Sequence, residues 1–267
     1  MNKKIRFSDI NMMNDYQEER WGYRVFELAV TNILNDELLQ KKFPSLNEAF
    51  FQKVDEIIAP LQLLLYPVIS CFSKDPDVLS QWRAYADDGR GFALGFNGVA
   101  LNSMPVTLLE VEYDQKIQIE EMKTALLAAH IRNLESGNDF GSQFRTDCQL
   151  IGAWKVGFKN SAFREEKEVR SLHMLDVCVD GDRPRLVDAG GEALGKEVNG
   201  EQVGYRVQDG AIIAYVDIPI PHLDNAPLIQ EVWVGPKNIN GIGNIVYFMS
   251  ECGLKDYAIH QSKASYR

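Results

Sequence analysis

Glu166, Glu168 and Arg170 recur at every second position of the stretch REEKEVRSLHML, and Leu172 and Met174 continue the same phase. Side chains alternate between faces along a strand. A strand over residues 166–175 would therefore align two carboxylates and a guanidinium with apolar neighbours that seek burial. Lys167, Val169, Ser171 and His173 would share its other face. If the first face lines a cleft, burial and mutual repulsion raise one carboxyl pKa while Arg170 keeps the other ionised. If it faces water, the same residues form a solvated ladder of ion pairs. A second group lies in VISCFSKDPDVLSQWRAYADDGRGFALGF, where a short strand over 68–72 follows Pro67 and Asp75-Pro76 supplies a helix start. Val78, Leu79, Trp82, Tyr85 and Ala86 then recur at helical spacing, with Trp82 and Tyr85 on one face. Asp88-Gly89 ends that helix, and Phe92, Leu94 and Phe96 alternate along a second strand up to the Asn97-Gly98 turn. Two strands flanking one short helix bring Ser70, Ser73, Trp82 and Tyr85 to a single edge, as a ligand site or as a packed core.

A third pattern is Glu165 with Lys167, the Glu-x-Lys half of a metal-dependent nuclease strand. Its missing half is an Asp on a preceding strand, and Asp139 is followed by a helical pattern instead. Cys71, Cys148, Cys178 and Cys252 form no Cys-x-x-Cys pair, and His130, His173, His222 and His260 are equally scattered. The spacing builds no metal site and no disulfide framework, and it predicts four buried, reduced thiols in a cytoplasmic protein. GEALG and GIGN lack the flanking strand and helix of a dinucleotide fingerprint.

The elements that must position these residues follow from periodicity. Residues 21–39 form a helix, and Ser45 with Glu48 makes a capping box that opens another. A strand covers 106–113, and a helical excursion spans 115–160. Later strands fall at 177–179 and 186–187 around a turn at Asp180-Gly181-Asp182, then at 212–218, 228–234 and 257–261. Residues 188–210 read as a loop with one weak strand at 205–207, and Asn240 caps a last helix. Phe7 precedes polar, turn-like chemistry around Asn14-Asp15.

At 267 residues and 45% apolar content, the chain is long enough to bury a large core as a single domain over 1–267. Its formal charge of −10, from 28 basic and 38 acidic residues, argues against a broad nucleic-acid footprint. No charged-then-apolar leader opens the sequence. Its richest apolar stretch, 57–69, is broken by Pro60, Gln62 and Pro67, so neither a signal peptide nor a membrane span is expected.

Several stretches together resemble one bacterial family, catalogued as domain of unknown function 2971. They are Phe7-Ser8 with Asn14-Asp15, CFSKDPDVLSQWRAYADDGRGFALGF, Lys159 with FREEKEVR, EVWVGPKN, and QSKASYR. That family distantly resembles the ADP-ribosyltransferase fold, which holds NAD in a cleft between two small sheets. The resemblance implies an α+β architecture of small mixed or antiparallel sheets forming a cleft, with helical insertions. It also implies NAD as substrate, no metal, and a cytoplasmic bacterial protein of the kind used as a toxin or in phage defence. Ser70 and Ser73 would match the serine-bearing strand under the nicotinamide ribose, and Glu166 and Glu168 the Glu-x-Glu strand. Glu168 would stabilise the oxocarbenium-like centre. Glu166 would position the acceptor, Arg170 would hold Glu168 ionised, and Trp82 or Tyr85 would stack on the nicotinamide.

In that fold the first strand carries an Arg or a His that grips the dinucleotide. The present sequence starts about where such a strand would have ended, and Arg6 and Arg24 are the early candidates, Arg24 within a helical pattern. The expected activity is transfer of ADP-ribose or hydrolysis of NAD. The alternatives are a binding or regulatory module using the Trp82/Tyr85 edge, and the nuclease.

Overall fold

In the computed structural model, which describes residues 3–10, 18–61, 65–223 and 227–266, strand β1 (Lys4–Asp9) alternates exposed Lys4 and Arg6 with buried Ile5 and Phe7. The motif residues Asn14, Asp15 and Arg267 lie outside the described residues, as does Gln62. Three helices follow: α1 (Glu18–Leu34), α2 (Glu37–Lys42) and α3 (Glu48–Ile58). The expected capping box does not open α3. Asn47 caps it, accepting from the Phe50 N–H at 3.3 Å, while the Ser45 hydroxyl lies outside the helix and meets His130 Nε2 at 3.0 Å.

Strand β2 (Leu65–Ser73) contains the expected 68–72 segment and runs past Pro67. Helix α4 (Leu79–Tyr85) begins at Val78, without a side-chain cap, rather than at Asp75-Pro76. The Asp75 carboxylate instead accepts from the Asp77 N–H at 3.2 Å, which turns the chain before the helix starts. Next come β3 (Phe92–Phe96), α5 (Gly98–Asn102) and β4 (Thr107–Glu110), then α6 (Gln115–Glu135) and α7 (Ser142–Trp154), then 3₁₀ turns at Lys155–Gly157 and Ser161–Glu166. Strand β5 (Glu168–Asp180) starts later and ends later than its alternation suggests. Its hairpin leads to β6 (Arg183–Val187), pairing Asp180 with Arg183.

The stretch read mostly as loop forms a hairpin of β7 (Gly191–Ala193) and β8 (Lys196–Val198), followed by β9 (Val203–Gln208). These strands are largely exposed, which is why no buried period marks them. The chain continues through β10 (Ala211–Pro219), β11 (Ile229–Val234), α8 (Ile242–Glu251), capped by Gly241 rather than Asn240, and β12 (Ala258–Gln261).

The architecture is mixed α+β. An antiparallel sheet of seven strands has the order β4-β5-β2-β1-β10-β9, with β6 on the far end of β5, and a second sheet has the order β12-β11-β3. Among the described residues the β7-β8 hairpin makes a third sheet, so two of the sheets are small, as expected. The first grows to seven strands because β10 and β9 continue the ladder beyond β1. Paired residues share a face, so the register defines two sides of the large sheet. On one, Ile69 and Leu172 pack with Ile10 and Val156 against a helical layer whose own core includes Ile33, Phe50, Val54, Leu126 and Phe144. On the other, Phe7, Val68, Leu175 and Val216 pack with Leu101 and Met104, around and after α5. The small sheet buries Val232 and Val234 against Ile245 and Met249 of α8.

Gly22 is required where α1 crosses the 155–157 turn, because a Cβ there would sit 2.8 Å from the Lys155 carbonyl oxygen. Among the described residues no helix is long and apolar enough to cross a membrane. Cys148 and Cys252 are buried as expected, but Cys71 is exposed and Cys178 half-buried; all four are free thiols.

Candidate functional site

The stretch expected to carry the acids splits in two. Glu166 ends a 3₁₀ turn, and Lys167 adopts the left-handed region with φ 44°. Its carbonyl accepts from the Lys74 N–H at 3.0 Å, and its ammonium pairs with Asp75 at 2.9 Å. Only from Glu168 does the chain enter β5. A period-two pattern cannot register a single left-handed residue, so Glu166 and Glu168 do not share a strand face. Glu165 and Lys167 do not share one either, which removes the geometry of the Glu-x-Lys motif.

The two carboxylates nevertheless meet, through a residue to which sequence reasoning assigned no role. Lys159 Nζ lies 2.7 Å from Glu166 Oε2 and 2.9 Å from Glu168 Oε2. Arg170 grips Glu168 in parallel, Nε to Oε1 at 2.8 Å and Nη2 to Oε2 at 3.1 Å, and donates from Nη1 to the Val156 carbonyl at 2.5 Å. Glu168, Arg170 and Lys159 are 4%, 1% and 6% exposed. Burial alone would raise the Glu168 carboxyl. The Arg170 hydrogen bonds and charge, and then the Lys159 charge, outweigh it and hold the group down at about 2. The result is a neutralised ionic quartet that ties the 155–166 turns to β5.

The register places this quartet on the helical side of the large sheet. Ser73 pairs with Glu168, Cys71 with Arg170 and Ile69 with Leu172, so Glu168 and Arg170 project with Ile69, toward Val156. Ser70 and Phe72 project with Val68 to the other side. Ser70 and Glu168 thus lie on adjacent strands but on opposite faces.

On the Ser70 side, between the large sheet, α4 and the small sheet, lies a cleft of about 740 Å³. Ser70, Ser73, Trp82 and Tyr85 all border it, and Glu166, Glu168 and Arg170 do not. The four are not equivalent. Among the described residues the Ser70 hydroxyl has no hydrogen bond. The Ser73 hydroxyl is taken up by the backbone of Glu166 (2.7 Å) and Asp75 (2.9 Å). Trp82 is buried at 2% exposure with its Nε1–H on Asp77 Oδ1 at 2.8 Å, whereas Tyr85, at the last helical position, is 62% exposed. Both border the cleft from α4, as their spacing predicts, and they differ in exposure rather than in face. Phe72 and Phe96 meet edge-on at 5.6 Å in the depth between the sheets.

The charges around the cleft are mostly paired. Arg6 stands on β1 and borders the cleft, but its guanidinium is held by Asp217 at 2.7 and 2.8 Å and lies 3.9 Å over the Tyr215 ring. Arg24 lies within α1. Lys74 pairs with Glu110. Glu231 differs: among the described residues no cation reaches it, and its Oε2 accepts from Trp233 Nε1 at 2.7 Å. Gly95, whose Cβ would come 2.9 Å from that of Glu231, leaves room for the side chain across β3. A lone Glu in EVWVGP carries no signal that would have identified it. Among the described residues no three His, Cys, Asp or Glu side chains gather as metal ligands.

No curated protein and no solved structure matches the chain. Residues 81–171, from within α4 into β5, match the family model described as protein of unknown function (DUF2971).

Proposed function

We propose that the inter-sheet cleft binds an aromatic or nucleotide ligand that carries positive charge, NAD being the first candidate, and that the chain works as a binding module. The observation that carries this reading is the composition of the cleft: aromatic walls and, among the described residues, a Ser70 hydroxyl with no hydrogen bond and in Glu231 a carboxylate that no cation reaches. A carboxylate beside aromatic faces favours a cationic ring, as in the oxidised nicotinamide. Glu168 argues against cleavage by the expected acid, because its charge is already cancelled and it faces the helical layer. The test is calorimetric titration with NAD, NADH and ADP-ribose, with nicotinamide release followed in parallel. NAD is expected to bind about tenfold or more tighter than NADH, which lacks the ring charge, with no nicotinamide released. Absence of binding by all three at millimolar concentration overturns the reading.

One observation favours a second reading, in which NAD is cleaved. Glu231 borders the same cleft as Ser70, where a carboxylate can stabilise an oxocarbenium-like centre. Nicotinamide release that falls about a hundred- to a thousand-fold in Glu231→Gln and survives in Glu168→Gln would establish it.

A further inference from the structure

Helix α4 is two turns long and has no side-chain cap, which is too short to persist on its own. Both of its ends are held from outside. At the entry, Asp77 Oδ1 accepts from Trp82 Nε1 at 2.8 Å and from the Ser262 hydroxyl at 2.5 Å, and Oδ2 accepts from the Lys263 N–H at 2.7 Å. At the exit, Asp88 accepts from the Tyr266 hydroxyl at 2.7 Å and from Lys237 Nζ at 2.8 Å, and that ammonium sits 3.8 Å over the Tyr266 ring. The 262–266 segment therefore reaches both ends of the helix. It sets out from the small sheet, where the Ser262 N–H bonds the Val234 carbonyl at 2.9 Å. Helix α4 in turn joins β2 of the large sheet to β3 of the small one. None of Asp77, Ser262 and Tyr266 borders the cleft, while Gln81, Trp82 and Tyr85 of the helix do.

We propose that the 262–266 segment is a strap that keeps α4 folded over the inter-sheet cleft, so that releasing the strap weakens ligand binding without removing a ligand contact. The coupling to affinity rests on the cleft being the ligand site; the hold on the helix does not. In the released state only a fraction of molecules present an ordered α4, and apparent affinity falls by that fraction.

The test pairs two measurements on the full chain. Hydrogen exchange by mass spectrometry follows the amides of residues 79–89 in wild type, in Asp77→Asn, and in the double variant Ser262→Ala/Tyr266→Phe. Calorimetry follows NAD binding by the same proteins. Asn keeps the shape of Asp77 but turns one acceptor into a donor facing the Lys263 N–H. Exchange in 79–89 is expected to rise about tenfold or more in both variants, with α1, α3 and α6 unchanged, and the Kd for NAD to rise by a similar factor. Should Asp77→Asn not fold, the milder double variant carries the test. Unchanged exchange in 79–89 in the folded variants overturns the strap. Faster exchange with an unchanged Kd overturns its coupling to the cleft. If wild type binds no NAD while the variants exchange faster, the ligand reading and the coupling fall together and the strap stands as a structural hold on α4.

Discussion

At residue scale, Glu168 changes from an expected catalytic acid into a buried anchor, and its energetics change with it. Removing one partner of a buried ion pair leaves an uncompensated charge and costs about 3–5 kcal/mol. Glu168→Gln is therefore expected to lower unfolding free energy by that amount in urea titrations at pH 7, although Gln keeps the volume. The pH dependence gives an independent check. The carboxyl sits at about 2 in the folded chain against an ordinary 4.5, so on acidification the unfolded chain takes up the proton first. The stability Glu168 contributes, about 3 kcal/mol for such a shift, is complete above about pH 5. It drains as pH falls from about 4.5 to 2 and is gone below. Wild type and Glu168→Gln should then converge toward pH 2, where a neutral carboxyl and an amide are nearly isosteric. Curves that stay parallel from pH 7 to pH 2 would refute the anchoring role.

At the scale of elements, helix α4 and the crossing of α1 are the informative cases. Trp82 is the buried residue of α4, with its indole N–H satisfied by Asp77. Trp82→Ala is expected to cost about 3–5 kcal/mol, read as a lowered midpoint in thermal or urea unfolding; a near-native midpoint would show the pocket to be dispensable. The α1 crossing is governed by backbone rather than by a side-chain tip. Gly22→Ala would press a methyl onto the Lys155 carbonyl, and overpacking of this kind costs about 1–3 kcal/mol. In the same turn the Val156 carbonyl accepts from Arg170 Nη1, so a shift of α1 should also accelerate exchange in the first residues of β5. Ala at position 22 with wild-type stability would show that the two elements can slide apart.

At the scale of the molecule, the large sheet separates two kinds of environment. Its helical side is filled by the ionic quartet and the apolar cluster around Ile69 and Leu172. Its other side opens, beyond Val68 and Phe72, into the cleft shared with the small sheet. Ligand binding and the buried charges are therefore expected to be independent. NAD should raise the melting temperature of Glu168→Gln by as much as it raises that of wild type, since binding to the folded state adds its own increment. A ligand-induced shift that disappears in Glu168→Gln alone would mean that the two faces communicate.

Local pattern was enough to establish that Phe92 to Phe96 is a strand, that residues 115 to 135 are helical, and that a hairpin turns at Gly181-Asp182. Each depends on a period or a turn chemistry contained within about ten residues. It also brought Ser70, Ser73, Trp82 and Tyr85 to one edge, because a strand, a helix and a strand joined by short turns cannot stray far apart. What it could not determine is the face on which Glu168 lies. That depends on the left-handed Lys167, which delays the start of β5, and on a register with β2 that joins positions almost a hundred residues apart, Ser73 to Glu168. A shift of one residue in either would have turned the carboxylate toward the cleft. The roles of Lys159 and Glu231 were illegible for the same reason: the ion pairs of the first exist only once the 3₁₀ turns pack on β5, and the cleft that the second borders only once the two sheets have formed.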